Sequence, residues 1–190
     1  MNIYDFDKTI FYPDSSAVFY KYCLKKYPMK VCRTIPATAI TALLYFFGRV
    51  DTKKLKEQLF SYLSCLPDID KTVSDFWGIN ERRIGEWYLK QKRDDDLVIS
   101  ASPEFLLKPV CDKLGIKLIA TKMNKSTGII DGENCHDTEK VVRFRQLFSD
   151  EEAECFYSDS LSDTPMAEIA KASYLVKKGN ILSWPKDIDT

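Results

Sequence analysis

Asp5 and Asp7 flank Phe6 in the segment Asp5-Phe6-Asp7-Lys8-Thr9, directly after the strand-forming run Asn2-Ile3-Tyr4. Side chains two apart on a strand point to the same side, so the two carboxylates converge. Such a pair repels itself and is relieved by a divalent cation or a shared proton. One carboxylate can then attack an electrophile while the other moves a proton. Alone, Asp-x-Asp is an ordinary acidic turn. It gains meaning from three further signals in order: Ser100-Ala101-Ser102 after a strand, Lys140 at a helix start, and Ser158-Asp159 through Asp163 after another strand.

This set suits phosphoryl transfer, where catalysis is largely positioning and charge neutralisation. Asp5 is the candidate nucleophile, forming an aspartyl-phosphate, and Asp7 the candidate general acid and base. Lys140 would hold the phosphoryl oxygens, and the Ser102 hydroxyl would donate to them. Ser100, two residues earlier on the same strand face, is the alternative hydroxyl. Asp5, Asp159 and Asp163 place three negative charges around a dianionic substrate, which calls for a cation, and Mg²⁺ fits an oxygen-only donor set. Taken singly, each residue has a plain structural role: Lys140 as a solvated helix lysine, Ser102 as an N-cap before Pro103-Glu104, Asp159 and Asp163 as caps of a helix near Thr164. Their joint order at one sheet edge favours the chemical reading.

The elements that must position these groups follow from periodicity and punctuation. Asp14-Ser15-Ser16 caps a helix that Pro28 ends, Ile35 to Phe47 reads as a second, and Asp51-Thr52 caps a third that Pro67-Asp68 ends. Asp70 to Lys92 continues as helix with an apolar face of Phe76, Trp77, Ile84, Trp87 and Tyr88. From Asp95 onward strands and helices alternate. The predicted strands are 97–99, 117–121, 155–157 and 174–176, and the predicted helices 104–114, 138–148 and 164–172. This grammar predicts an α/β fold, a parallel sheet flanked by helices, joined by the first strand. The expected division is a core domain of 1–13 and 93–190 with residues 14–92 as an inserted all-helical domain over the carboxyl ends of the strands, where open parallel sheets bind ligands.

At 190 residues and 45% apolar content the chain can bury a sizeable core. Lys plus Arg balance Asp plus Glu at 28 each, so no global field draws it to nucleic acid or to an anionic membrane. The six cysteines show neither Cys-x-x-Cys nor zinc spacing and no secretory signal precedes them, which favours a reduced, cytoplasmic setting. The apolar stretch Ile35 to Phe47 is shorter than the roughly 20 residues needed to span a bilayer. Core packing is its ordinary reading, with peripheral contact to a membrane surface or the lining of an apolar pocket as the alternatives.

These motifs resemble those of haloacid dehalogenase (HAD) superfamily phosphatases, subfamily IB, the phosphoserine phosphatase-like group with a helical cap inserted after the first strand. Asp5-Phe6-Asp7-Lys8-Thr9-Ile10 is similar to the first motif, Ser102-Pro103-Glu104-Phe105 to the second, Lys140 to the third, and Ser158-Asp159 through Asp163-Thr164-Pro165-Met166 to the fourth. The resemblance implies a HAD-like Rossmannoid core and a C1-type cap. It implies Mg²⁺ held by Asp5, the backbone carbonyl of Asp7 and Asp159, with Asp163 as ligand or supporting group. It also implies Thr9 bracing the nucleophile loop and Asp14 near the substrate. Pro103-Glu104 stand where phosphoserine phosphatases carry two glycines, and Ser160 and Ser162 where Gly and Asn are usual, so phosphoserine itself is not the indicated substrate. A small phosphomonoester is the first expectation, a lipid phosphate such as phosphatidylglycerophosphate the second, and a non-hydrolytic phospho-aspartate signalling module the rival from another class.

Overall fold

The computed structural model describes residues 1–185. One six-stranded sheet runs through it: β1 (Asn2–Tyr4), β2 (Leu97–Pro103), β3 (Lys117–Thr121), β4 (Ala153–Ser158), β5 (Ala170–Lys177) and β6 (Asn180–Ser183), in the order β3-β2-β1-β4-β5-β6. The first five are parallel, and β6 is an antiparallel edge strand on β5. The order reverses at β1, where neighbouring strands leave in opposite directions and open a crevice at their carboxyl ends. Asp5 follows that strand directly.

Period-two alternation divides the strand residues between two cores. Ile3, Leu97, Ile99 and Phe156 face one side with Phe144 and Met166. Tyr4, Val98 and Tyr157 face the other with Leu106, Val110 and Trp77. The second layer contains a stack of Tyr4, Tyr157 and Tyr174, with ring centroids 4.8 and 4.9 Å apart across adjacent strands. The same alternation sends Phe6 into this core and leaves its neighbours Asp5 and Asp7 to the crevice.

Between β1 and β2 the chain is almost wholly helical: α1 (Ser15–Lys26), α2 (Pro28–Val31), α3 (Ile35–Phe46), α4 (Thr52–Leu59), α5 (Ile69–Asn80) and α6 (Glu86–Gln91). Asp14, Asp51 and Asp68 cap α1, α4 and α5 by accepting amide hydrogens of Ala17, Lys54 and Lys71. Trp77 on α5 joins this segment to the sheet layer. Its Nε1 donates to the Leu106 carbonyl at 2.6 Å, and its ring meets Phe6, Phe11 and Phe76. The remaining helices, α7 (Glu104–Leu114), α8 (Thr138–Leu147) and α9 (Thr164–Ile169), cover the sheet. Gly115, at φ +67°, ends α7 in the left-handed conformation that a side chain resists.

Three expectations need correction. The helix predicted over 70–92 is broken, because Ile84 bridges Phe11 and the Gly85 amide donates to the Ile10 carbonyl at 2.7 Å. The helix predicted over 164–172 stops at Ile169, since Ala170 already pairs with Ala153 of β4. Finally, Ile35 to Phe47 is not core: no residue of α3 is buried.

Candidate active site

A cavity of about 410 Å³ at the carboxyl ends of β1, β2 and β4 is lined by Asp5, Asp7, Asp14, Ser100, Ser102, Lys140, Asp159 and Asp163, together with Lys8, Ser16, Lys56 and His136. Seven of the eight site side chains predicted from motifs therefore meet in one place, and Ser100 joins them. Thr9 does not. It is buried with a hydroxyl that finds no hydrogen-bond partner among the described residues, and it lines a separate cavity with Gly85 and Trp87. The loop after β1 is braced by backbone instead: Lys8 N–H donates to Phe11 O at 2.7 Å, and Phe11 N–H to Phe6 O at 2.9 Å.

Asp5 and Asp7 sit in different surroundings. Lys140 opens α8 from the far side of the sheet and is only 2% exposed. Its Nζ donates to Asp5 Oδ1 at 2.7 Å and to Asp163 Oδ2 at 2.8 Å. Ser158 Oγ also donates to Asp163 Oδ2 at 2.7 Å. Burial lifts the Asp5 carboxyl above the ordinary range, Lys140 opposes the shift and the Asp163 charge adds to it. For Lys140, burial opposes the charge, yet the two carboxylates outweigh it and hold the ammonium above its usual value. Asp5 Oδ2 has no protein donor among the described residues.

Asp7 is held by the helical segment. The amide of Ser15, at the N-terminus of α1, donates to Asp7 Oδ1 at 2.6 Å, and Ser102 Oγ donates to Oδ2 at 2.5 Å. Ser16 Oγ lies 2.9 Å from Ser102 Oγ and completes the cluster. Burial, reinforced by the charge of Asp14, pushes Asp7 up to about 6 despite these hydrogen bonds. Ser102 reaches Asp7 because β2 bulges: Ser100 pairs with Ala120 but Pro103 with Thr121, so three residues advance against one. The Ser102 amide donates to Ser100 Oγ at 3.1 Å, which keeps both hydroxyls in the cavity.

Asp14 lines the cavity while its Oδ1 accepts from the Ala17 amide at 2.8 Å. Asp159 is half-buried, and burial raises its carboxyl above the ordinary range while Lys8 and Lys177 oppose this. The carboxylates Asp5, Asp7, Asp159 and Asp163 do not form a ready metal cage. Among the described residues no three His, Cys, Asp or Glu side chains are grouped to hold an ion by themselves. The Asp163 Oδ2 and both Asp7 oxygens are already engaged by protein donors.

Lys56 is the residue that motif reasoning missed. It projects from α4 into the cavity, where Nζ donates to the Ala101 carbonyl at 2.5 Å and to Asn134 Oδ1 at 2.6 Å. Burial pulls it down to about 8, against the pull of the Cys135, Asp7 and Asp14 charges. The signal was its placement three and four residues before Leu59 and Phe60, which line the same cavity. His136, the single histidine, carried no motif.

The haloacid dehalogenase-like hydrolase model matches residues 3–168. Protein CicA of Caulobacter vibrioides is 34% identical over 91 residues, 44% of this chain and 41% of that protein, so the match spans less than half of the relative's length. Among solved structures, a protein of unknown function from Bordetella pertussis Tohama I superposes with a TM-score of 0.72 at 19% identity, covering 91% of this chain and 87% of that one. A phosphoserine phosphohydrolase-like protein from Francisella tularensis subsp. tularensis SCHU S4 gives 0.56 at 18%, covering 91% and 86%. A substrate-bound phosphoserine phosphatase gives 0.54 at 15%, covering 90% and 82%. At these identities the likeness speaks for the fold, and the family match, which takes in every motif from Asp5 to Asp163, decides membership: the chain belongs to the haloacid dehalogenase-like hydrolase family.

Proposed function

We propose that the protein is a phosphomonoester hydrolase working through an aspartyl-phosphate on Asp5, with residues 14–92 serving as a cap domain over a core of 1–13 and 93–190. The observation that carries this reading is the asymmetry of the two carboxylates: Asp5 is paired with a buried ammonium through Oδ1 only, while both Asp7 oxygens accept from neutral donors, the Ser15 amide and the Ser102 hydroxyl. Asp5 Oδ2 attacks phosphorus in line and the ester bond to the alcohol breaks. Asp7, protonated in part at pH 7, delivers its proton to the departing oxygen, then takes one from the water that cleaves the acyl-phosphate. Lys140 holds phosphoryl oxygens, and the two serine hydroxyls at the β2 bulge supply neutral donors.

The donor set fits Mg²⁺. Asp5, Asp159 and the Asp7 backbone carbonyl are hard oxygen ligands, and this ion characteristically takes only one or two carboxylates, completing its shell with water and phosphate. Bound there, the ion would supply charge neutralisation at the phosphoryl group. Asp163 supports the site by fixing Lys140.

A phospho-aspartate signalling module would share the aspartate, hydroxyl and lysine, but has no use for a second carboxyl held near neutral and touching an inserted helix. The test is hydrolysis of an aryl phosphate by the full chain. Turnover that requires Mg²⁺ and a phosphoenzyme trapped by rapid acid quench are expected. A phosphorylated protein that persists without turnover would replace this reading with the signalling one, and no phosphorylation at all would end both.

A further inference from the structure

Lys56 stands in the catalytic cavity without a task in phosphoryl transfer. Its neighbours on α4 are paired as surface lysines are: Lys53 lies 3.6 Å from Glu133 and Lys54 3.8 Å from Glu57. Lys56 has no carboxylate within ion-pairing distance among the described residues. Its Nζ meets two neutral oxygens instead, Ala101 O at 2.5 Å and Asn134 Oδ1 at 2.6 Å. Asn134 is held in turn by the Thr121 hydroxyl at 3.0 Å, and that hydroxyl accepts the Cys135 amide hydrogen at 3.0 Å.

An ammonium carries three hydrogens, an uncharged amine two and a lone pair. Two acceptors and no counter-ion suit the amine: both hydrogens are taken, and the lone pair is left for an electrophile. Burial acts in the same direction and pulls Lys56 down to about 8. The ionisable groups whose charges reach it, those of Cys135, Asp7 and Asp14, oppose the shift without cancelling it. At pH 8 about half of Lys56 is therefore free amine, against about 0.3% of an ordinary lysine. The cavity decides what this nucleophile meets. Ala101, whose carbonyl holds Nζ, lies between Ser100 and Ser102, and both serines share the cavity with Lys140. A phosphate seated on those donors brings the group it is joined to toward Lys56.

We propose that Lys56 is a self-acylation site whose acyl donor is a small acyl phosphate, held by its phosphate in the catalytic cavity. The amine attacks the acyl carbonyl, a C–N bond forms, and the bond from the acyl carbon to the phosphate oxygen breaks. Inorganic phosphate departs and takes up the proton that the amine sheds, so lysine and acyl phosphate become N-acyl-lysine and hydrogen phosphate. The product keeps one N–H for two acceptors, which loosens α4 from Ala101 and Asn134. The phosphate seat rests on the hydrolase reading above; the reactivity of the amine does not.

The probe is acetyl phosphate, added to the full chain carrying Asp5→Asn so that attack at phosphorus does not consume it, with acetyl groups located by peptide mass spectrometry. The unsubstituted chain with excess probe gives the same comparison if that variant does not fold. At pH 8 Lys56 should be acetylated about tenfold or more faster than Lys54, two residues away and 64% exposed. Saturating inorganic phosphate should slow Lys56 about tenfold and leave Lys54 unchanged. The rate at Lys56 should level off above about pH 8, while that at Lys54 keeps rising. Acetylation of Lys56 no faster than that of Lys54, a rate indifferent to phosphate, or one that climbs with pH as Lys54 does would each overturn the proposal. Aryl-phosphate turnover by the unsubstituted chain is followed alongside. Its absence removes the hydrolase reading, whereas phosphate-sensitive acetylation of Lys56, read without turnover, still supports the acylation site.

Discussion

Lys140, from α8 of the α/β layer, and Lys56, from α4 of the helical insertion, line one cavity in opposite electrostatic settings. Lys140 is enclosed by Asp5 and Asp163 and held charged by them. Lys56 meets only neutral acceptors, the Ala101 carbonyl and Asn134 Oδ1, and burial weakens its hold on a proton. The two halves of the site are therefore bound differently. The sheet half is an ion-paired unit that is costly to open. Away from the site the insertion shares an apolar core with the sheet through Trp77, but within the site it is held by hydrogen bonds to Asp7, Ser102 and Ala101, each worth about 1 kcal/mol net or somewhat more where a charge is involved. On the proposed reading of the insertion as a cap, which would have to admit substrate and release product, the second kind of contact is the better attachment.

The sharpest way to break this comparison is at Asp5. Asp5→Asn keeps the volume but removes the nucleophile, and turnover of an aryl phosphate should fall by about 10⁴-fold or more. Retained turnover would mean that Lys140 and Asp163 do not serve a covalent route. Next comes Lys140→Met, which leaves two buried carboxylates facing each other. Denaturant unfolding should show a loss of about 3–5 kcal/mol, and Asp163→Asn in the same chain should recover part of it. Equal loss in the single and double variants would show that the ion pair is not what holds this half together. Asp7→Asn should slow turnover by about 10²–10⁴-fold, with little loss of stability because Asn Oδ1 can still accept from the Ser15 amide while its Nδ2 donates to the Ser102 hydroxyl, which can turn to accept. A large loss of stability there would make the insertion half as tightly bound as the sheet half.

The sheet half was the legible one. Asp5, Asp7, Ser102, Lys140, Asp159 and Asp163 are each fixed by a strand end or a helix start, and strands and caps announce themselves through alternation and capping residues. The insertion half was legible as helices but not as surfaces. The apolar run 35–47 fits a core helix equally well, because composition records what a segment could bury and not whether anything covers it; tertiary packing left it bare. The break at Gly85 depends on a partner 75 residues earlier, the Ile10 carbonyl, which no local signal contains. β6 was missed because its residues are exposed on both faces, which removes the alternation that betrays a strand. Lys56 was passed over for a related reason: a lysine among Lys53, Lys54 and Glu57 on a short helix reads as solvated surface until the fold turns that helix over the site.

The smallest expected effect sharpens the comparison most directly, because it measures the setting of Lys56 itself. Its folded value lies near 8 against 10.5 for an ordinary lysine, so the charged form is disfavoured in the folded chain. Below about pH 8 both states carry the proton and the full cost of burying the ammonium is present. Between about 8 and 10.5 the folded chain has released its proton while the unfolded chain retains it, so stability rises with pH, and above that range the cost is gone. Other lysines and tyrosines titrate in the same window, so the quantity to measure is the difference from Lys56→Met, followed by denaturant unfolding at a series of pH values. That difference should shift in favour of the unsubstituted chain by about 1–2 kcal/mol across the window, allowing for solvent screening of a partly exposed group. Parallel curves would mean that the Lys56 ammonium is as well compensated as that of Lys140, and the insertion would then be fastened as firmly as the sheet half.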